Sequence, residues 1–254
     1  MSYWESVLLG AIQGLTEFFP VSSSGHLVLA QALLGIHEEG VLLEVLLHVA
    51  TLLVVLTYYR SDVAALLRPR FAPAINRERL LLIVGLIPTG IAGVFFKDQL
   101  ESAYGSPRAV LIALAATGVY LLATRWAGKR GGEITFRIAL LIGFAQAIAI
   151  LPGVSRSGAT IATALFLGVA RPEAARFSFL LSAPAIAGAA LLSVKDGFSA
   201  TGFAWGPGLL GMLTAGIAGW LAIGLLVRMV VSGRFDRWGY YCIAVAVVGW
   251  ALLA

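Results

Sequence analysis

Residues Gln13 to His26 read QGLTEFFPVSSSGH, and they place a carboxylate, three consecutive serines, a glycine and a histidine in an otherwise apolar stretch. A second copy follows at a constant offset of 133 residues, where residues 152–158 read PGVSRSG. The identical pairs are Gly10 and Gly143, Gln13 and Gln146, Val21 and Val154, Ser22 and Ser155, Ser24 and Ser157, and Gly25 and Gly158. The first copy carries the acid and the histidine, whereas the second carries Arg156. Together they predict one site that is split between the two halves of the chain.

The composition is that of an integral membrane protein. Hydrophobic residues make up 59% of the 254 residues and charged residues only 12%, with a mean hydropathy of +0.92. A soluble domain of this size needs more charge to cover its surface. The net charge of +5 is expected from basic cytoplasmic loops. Nucleic-acid binding is not expected, because no segment interleaves aromatic and basic residues.

Six apolar stretches approach the length of about 20 residues that a helix needs to cross the hydrocarbon. They cover residues 43–59, 80–96, 107–124, 177–194, 207–228 and 239–254. The basic connectors are 60–79, 125–137, 171–176 and 228–238, whereas 36–44 and 97–106 are acidic or neutral. Basic loops stay in the cytoplasm. All the basic connectors share one side only if residues 1–35 and 138–170 each enter and leave the membrane from the same face.

Both of these segments are therefore predicted to be re-entrant helical hairpins. Pro, Gly and Ser break each of them, and irregular backbone inside a membrane is tolerated only where protein buries it or water reaches it. Each half then has one hairpin and three spans, and an odd number of spans inserts the halves in opposite orientations. The predicted fold is an all-α polytopic membrane protein with an inverted-topology repeat, six transmembrane helices and two re-entrant hairpins. Eight plain spans are the alternative.

The repeat divides a single membrane domain. Residues 1–124 form the first repeat with its hairpin at 1–35, residues 125–137 form a cytoplasmic connector, and residues 138–254 form the second, inverted repeat with its hairpin at 138–170. A weaker match in a later span, TGIAG from Thr89 and AGIAG from Ala215, supports this division.

Glu17 is a functional candidate by its location, because a carboxylate inside a membrane segment is costly unless it is paired or hydrated. Gln13 lies one helical turn before it on the same face. The pair is predicted to bind a hard cation through oxygen atoms or to orient a histidine. The alternative is a solvated carboxylate at a helix end.

The serine run is predicted to begin a half-helix whose free N–H groups favour anions, phosphate above all. Ser22, Ser24 and Gly25 are therefore assigned to phosphate binding, with capping and packing as the alternative for the two serines. Ser23 is favoured as the reactive hydroxyl, because its counterpart in the second copy is not a serine. His26 is predicted to be the general base to a serine or a water, or to protonate a leaving group.

Arg156 is the only cation in the sequence of either hairpin, and its planar guanidinium suits phosphate oxygens. Hydroxyls and closely approaching backbone amides are predicted to complete the phosphate site. These further residues are Ser155, Ser157, Gly158 and Thr160. A structural ion pair between Arg156 and Glu17 is the alternative. The residues alone therefore indicate an intramembrane anion site for a phosphate or diphosphate ester whose remainder is apolar.

His48 follows Glu44 by one helical turn in the first apolar stretch. It is interpreted as a histidine that packs between helices, with a place at the entrance of the site as the alternative.

Two motifs resemble the signatures of the BacA-type undecaprenyl-diphosphate phosphatase family (UppP). They are QxxxEFxPVSSxGH at residues 13–26 and PGxSRSGAT at residues 152–160, and the resemblance extends to FSFLLS at 177–182 and nearly the whole chain. It implies removal of the terminal phosphate of undecaprenyl diphosphate at the outer, periplasmic face of the bacterial inner membrane. This reaction regenerates the monophosphate carrier for cell-wall synthesis, and the family confers bacitracin resistance.

The resemblance also implies a divalent cation, Mg²⁺ or Ca²⁺, with Glu17 and Gln13 as the expected ligands. Gln13 stands where a first glutamate is common in the family, so more of the metal and proton chemistry is expected at Glu17. The expected partners are a polyprenyl diphosphate substrate and membrane lipids, with a homodimer left open.

The predicted mechanism places the diphosphate on Arg156. Ser23 or a water attacks the terminal phosphorus, and His26 takes or returns the proton. A lipid-phosphate transporter or flippase, alone or in addition, is the second hypothesis, because inverted repeats with broken helices are common in transporters. The acid, serine and histidine favour the enzyme.

Overall fold

A computed structural model describes residues 2–35, 41–68, 72–95, 106–128, 131–197 and 203–253. These residues form eleven α-helices and two short 3-10 helices, Thr124–Trp126 and Phe235–Arg237. The α-helices are α1 (Tyr3–Phe18), α2 (Ser23–Leu34), α3 (Val41–Tyr58), α4 (Arg60–Leu67), α5 (Pro73–Phe95), α6 (Pro107–Ala123), α7 (Phe136–Ile148), α8 (Arg156–Phe166), α9 (Arg171–Gly197), α10 (Trp205–Val231) and α11 (Trp238–Leu253). The prediction of an all-helical polytopic chain is confirmed.

Four helices are long and apolar enough to cross a membrane: Pro73–Phe95, Pro107–Trp126, Arg171–Leu192 and Trp205–Val231. The pair α3 and α4 adds a fifth crossing if it counts as one broken span, since the chain bends there by 85°. α11 has only 16 residues, fewer than the about 20 that a straight crossing needs. By length and composition the described residues therefore supply four or five spans, where six were predicted.

Helix α5 begins at Pro73, well before residue 80, where the predicted span starts. Proline is favoured in the first turn of a helix, because the N–H that it lacks has no partner there. Arg79 stabilises the polar first two turns of α5. It donates to the carbonyl of Leu66 at 2.8 Å and to Asn76 Oδ1 at 2.9 Å. The helix thus continues beyond the apolar stretch.

Each predicted hairpin consists of two short helices on either side of a break. Helices α1 and α2, with 16 and 12 residues, flank residues 19–22, and α7 and α8, with 13 and 11 residues, flank residues 149–155. α7 begins two residues before position 138, because Thr135 Oγ1 caps it by accepting from Ile138 N at 3.3 Å. Protein buries most of the second half of this hairpin, since eight of the eleven residues of α8 are buried, as are Pro152, Gly153 and Ser155 of the break.

Each hairpin packs against a long helix of the other half, α1 on α10 and α7 on α5. Gly10 in α1 lies against the backbone of Gly211, and Gly143 in α7 lies against the backbone of Gly85. A Cβ at Gly10 or at Gly143 would overlap the carbonyl oxygen of its partner. Glycine at these two positions therefore permits the close approach of the helices, and the approach interlocks the two halves.

Replacing Gly10 by alanine is expected to push α1 away from α10 and to lower the free energy of unfolding by about 1–3 kcal/mol. Gly216→Ala in α10 is the matched control, because nothing lies within 4 Å of a Cβ built at Gly216. Since alanine is the better helix former, this control should keep or raise the stability. Denaturant titration in detergent micelles measures both variants, and equal losses would contradict the glycine contact.

Candidate active site

The two hairpin breaks meet inside the protein. Gly153 N donates to Ser22 Oγ at 3.0 Å, and Ser157 Oγ donates to the carbonyl oxygen of Phe19 at 3.3 Å. Gly25 faces the same backbone so closely that a Cβ on it would lie 3.1 Å from Gly153 Cα. The first turn of each second half-helix therefore lies against the break of the other hairpin.

The first serine of each motif caps the half-helix that follows it. Ser22 Oγ accepts from the backbone N–H three residues later at 3.2 Å, and Ser155 Oγ does the same at 3.1 Å. A second serine lies beside each cap, two residues later in the chain. The hydroxyls of Ser22 and Ser24 are 3.4 Å apart, and those of Ser155 and Ser157 are 3.3 Å apart. Both copies thus keep the same capping structure.

Several groups predicted to bind phosphate have protein partners in this structure. The caps use the hydroxyls of Ser22 and Ser155 and the N–H groups of the two motif glycines. Thr160 Oγ1 donates to the carbonyl of Arg156 at 2.8 Å and lies 2.5 Å from Ser178 Oγ. In this structure these groups cap the helices and hold the hairpins together. A direct contact between them and phosphate stays a prediction.

The cap of α2 differs from that of α8 in its backbone. Ser22 has a φ of 67°, and no other non-glycine among the described residues has a positive φ, whereas Ser155 has a φ of −80°. A serine in this region is strained and persists only where its surroundings hold it. The carbonyl of Ser22 accepts from His26 N at 3.1 Å and lies 2.9 Å from His26 Nδ1. The first turn of α2 is thereby fixed, and with it the position of Ser23.

Glu17 is the centre of a polar cluster at the junction. Its Oε2 accepts from Ser23 Oγ at 2.6 Å and from Gln13 Nε2 at 3.0 Å, and its Oε1 accepts from Arg156 Nη2. Arg156 Nη1 also donates to the carbonyl of Ser182 at 3.3 Å. Glu17 is 7% exposed, whereas Ser23 and Arg156 are half-buried. A ligand can therefore reach the hydroxyl and the guanidinium while the carboxylate stays covered.

The structure does not bring His26 to Ser23. His26 Nε2 lies 3.0 Å from the hydroxyl of Tyr241, and the two rings stack with centroids 5.7 Å apart. Because a carbonyl only accepts, Nδ1 carries the hydrogen toward Ser22 O, and Nε2 then accepts from the tyrosine. Both nitrogens of His26 are occupied, so this geometry offers no free one for the predicted role as base.

His48 is the histidine that faces the carboxylate. Its Nε2 lies 4.0 Å from Glu17 Oε2, and its Nδ1 lies 2.9 Å from the carbonyl of Glu44. The sequence pattern predicted helix packing or a place at the entrance for His48, and it did not predict this contact. One signal was available: an ionisable residue inside an apolar span is a functional candidate by default.

The described residues do not form a resident metal site. They contain no group of three or more His, Cys, Asp or Glu side chains placed to hold an ion. Both oxygens of Glu17 already accept hydrogen bonds, and Gln13 turns its donor nitrogen toward that carboxylate, leaving its Oε1 as one buried acceptor without a partner. Six or more oxygens surround Mg²⁺ or Ca²⁺. The pair alone therefore supplies too few free oxygens for a resident ion, and a role of Glu17 and Gln13 as cation ligands stays a prediction.

Comparison with known proteins places the chain among membrane enzymes. Residues 6–248 match the model of the family described as "Bacitracin resistance protein BacA". A protein of Salinibacter ruber named undecaprenyl-diphosphatase is 42% identical over 100% of both chains. One of Elusimicrobium minutum with the same name is 42% identical over 98% of this chain and 97% of its own. Undecaprenyl-diphosphatase 1 of Shouchella clausii is 36% identical over 98% and 95%.

Ser22→Ala is expected to destabilise the protein by about 2 kcal/mol or more, because it leaves two buried N–H groups without an acceptor. The Oγ of Ser24 has one weak contact, at 3.4 Å, so Ser24→Ala is the matched control and should stay within about 0.5 kcal/mol. Denaturant titration in micelles distinguishes them. A Ser22→Ala variant as stable as Ser24→Ala would contradict the assigned cap.

Proposed function

This chain belongs to the BacA family, and we propose that it removes the terminal phosphate of undecaprenyl diphosphate to give undecaprenyl phosphate. The protein is thus a phosphoric anhydride hydrolase that recycles a lipid carrier for cell-wall synthesis and confers resistance to bacitracin. The relatives named above are called undecaprenyl-diphosphatases, and their matches cover 98% to 100% of this chain.

One observation supports this function above the others: the contact of Ser23, Glu17 and Arg156 where the two hairpins meet. A hydroxyl with a carboxylate acceptor at 2.6 Å is the arrangement of an activated nucleophile. A guanidinium beside it supplies positive charge where a phosphoryl group accumulates negative charge. The cluster combines both in a covered, apolar surrounding, where electrostatic interactions are stronger than in water.

The reaction proceeds in two displacements at Ser23. Glu17 takes the proton of the hydroxyl as Ser23 Oγ bonds to the terminal phosphorus. The bond from phosphorus to the bridging oxygen breaks, and its electron pair leaves with undecaprenyl phosphate. A water then bonds to the phosphorus of the phosphoserine, the Oγ–P bond breaks, and the proton returns to Ser23 Oγ as inorganic phosphate departs. Direct attack by water, oriented by Glu17, is the second route that the sequence analysis left open.

Arg156 holds the diphosphate through donors that the ion pair does not use. A guanidinium has five N–H groups, and Arg156 donates to Glu17 and to the carbonyl of Ser182. The ion pair with Glu17 sets the direction of the fork. Arg156 can therefore keep its ion pair with Glu17 and bind the diphosphate at the same time.

The transporter hypothesis is not supported, since the relatives bear the name of a hydrolase. A proton acceptor beside a hydroxyl also has no task in moving an unchanged lipid across the membrane.

We further propose the inverted-topology repeat as the finer architecture, with α11 and the bent pair α3 and α4 as the remaining two of six spans. The helix bounds support it: shifting α1 and α2 by 133 residues gives the first residues of α7 and α8. The exchanged packing of α1 on α10 and α7 on α5, through equivalent glycine contacts, is what a pseudo-twofold axis in the membrane plane would produce.

We place the protein in the bacterial inner membrane with the cluster open to the periplasmic face. The basic connectors support this orientation, since the first hairpin then enters from outside. The diphosphate reaches Arg156 from that side while the prenyl tail stays in lipid.

The described residues form no resident cation site, so no step of the reaction is assigned to a metal. We propose that Mg²⁺ or Ca²⁺ enters bound to the diphosphate, as Mg²⁺ commonly binds substrate phosphates with few protein ligands. A homodimer stays a prediction.

Purified protein in detergent is expected to release inorganic phosphate from undecaprenyl diphosphate. Arg156→Ala should lower the rate about a thousandfold or more, the range found when an arginine that stabilises the transition state is removed. A chelator should slow the wild type without changing its unfolding temperature, and Mg²⁺ should restore the rate. Wild-type protein that releases no phosphate would refute the function, and an active Arg156→Ala variant would refute the clamp.

Ser23→Ala is expected to lower the rate by about a hundredfold or more, because the removal of a nucleophile costs at least this much in other hydrolases. Rapid acid quenching of wild type with substrate labelled in the terminal phosphate should trap a labelled protein that Ser23→Ala does not give. Ser24→Ala is the control and should still trap label. A Ser23→Ala variant with near-normal turnover would favour attack by water.

A further inference from the structure

We propose that His48 is the residue to which Glu17 passes the proton of Ser23, a role expected of His26 from the sequence. The inference rests on the proposed function, since it concerns the proton of the same reaction. His48 acts through Glu17 and does not contact the reacting atoms, so it is a positioning residue and not a catalytic one.

The tautomer of His48 suits this role. The carbonyl of Glu44 lies 2.9 Å from His48 Nδ1, and because a carbonyl only accepts, Nδ1 carries the hydrogen in the neutral ring. The lone pair is then on Nε2, the nitrogen that lies 4.0 Å from Glu17 Oε2. A separation of this size suits a bridging water or a small rotation of the carboxylate. The backbone thus orients the ring with its acceptor toward Glu17.

The contacts of Glu17 define the direction of transfer. Oε2 is the oxygen that accepts from Ser23 Oγ and also the one that faces His48. A carboxylate paired with Arg156 is a weak base, because the guanidinium stabilises its charged form. Passing the proton on to His48 Nε2 restores the charged carboxylate while the Oγ–P bond forms and the bridging P–O bond breaks. In the second displacement Glu17 takes a proton from the attacking water and donates it to Ser23 Oγ as the Oγ–P bond breaks. The remaining hydroxyl of the water stays on the departing phosphate, and His48 releases the first proton to solvent water.

Few charged groups surround His48 in the described structure. Glu17 faces it from α1, with Arg156 of α8 behind that carboxylate. On its own helix, Glu44 holds the ring through a backbone carbonyl. The ion pair of Glu17 and Arg156 is therefore the main charged environment of the ring.

The other neighbouring helices contribute little charge near His48. On α2 the titratable side chain is His26, whose ring lies on Tyr241. On α10 the charged residue is Arg228, near the end of that helix. The charged side chains described on α4 and the start of α9 lie beyond the other end of α3, where Arg176 pairs with Asp62. His48 is thus placed to respond to Glu17.

The experiment compares steady-state phosphate release by four variants with wild type: His48→Ala, His48→Gln, His26→Asn, and the double variant Gln13→Glu/His48→Gln. Both His48 variants should lower kcat about a hundredfold, the usual contribution of a proton-transfer group, with KM nearly unchanged. Imidazole in the assay should restore His48→Ala in proportion to its concentration, because the side chain is 25% exposed and leaves a reachable space. A purely structural histidine would show no such rescue.

His26→Asn is the matched histidine control. Its side-chain N–H can still donate to the Ser22 carbonyl, and its ring lies on Tyr241 rather than beside Glu17, so its rate should not respond to imidazole. His48→Gln should change the shape of the wild-type pH–rate profile. In the double variant a carboxylate replaces the Gln13 amide, which lies 3.0 Å from the same Glu17 Oε2. Two adjacent carboxylates share a proton, so this variant should be faster than His48→Gln.

The outcomes separate the inference from the function on which it rests. Wild-type protein without phosphatase activity would refute both. Active wild type with unaffected His48 variants refutes the inference alone. The same holds if His48→Ala does not respond to imidazole and the double variant is no faster than His48→Gln, with unfolding temperatures equal to wild type. Should His48→Ala fail to fold, the comparison of His48→Gln with the double variant decides.

Discussion

The ion pair between Glu17 and Arg156 is the interaction on which the rest of the structure depends. Neither charge is tolerable at membrane depth without a partner, and the two lie 139 residues apart in different hairpins. Removing one partner of a buried pair costs on the order of 3–5 kcal/mol, since the other charge is left uncompensated. The pair forms only when both hairpin tips reach the same place. The close glycine contacts of the hairpins and the cross-contacts between their tips meet that requirement.

Much of this arrangement could be predicted from the sequence, because it follows from composition and from a repeated pattern. The offset between the two motifs places the starts of α2 at Ser23 and of α8 at Arg156, and both are helix starts in the structure. The cost of charge in a membrane singled out Glu17 and Arg156, and their ion pair was the structural alternative for Arg156. Helix length was harder to predict, because α5 and α9 continue past their apolar stretches.

The roles of individual side chains could not be predicted, because they depend on rotamers and on backbone strain. The sequence places His26 three residues after Ser23, yet the left-handed φ at Ser22 and the hydroxyl of Tyr241, 215 residues away, turn its ring elsewhere. His48 lies in a largely apolar stretch, and no local pattern indicates that its ring reaches Glu17. Likewise, a serine that caps a helix and a serine that binds phosphate have the same sequence signature.

The exchange of packing partners between the halves has a consequence for biogenesis. The ribosome delivers α1 long before its packing partner α10, which begins only at Trp205. Until then the first hairpin has no glycine contact, and until Arg156 is translated Glu17 has no counter-charge either. Glu17 must therefore remain hydrated or protonated while most of the chain is still being inserted. The first hairpin, although it is translated before the helix that it packs against, is accordingly among the last segments to reach its final depth.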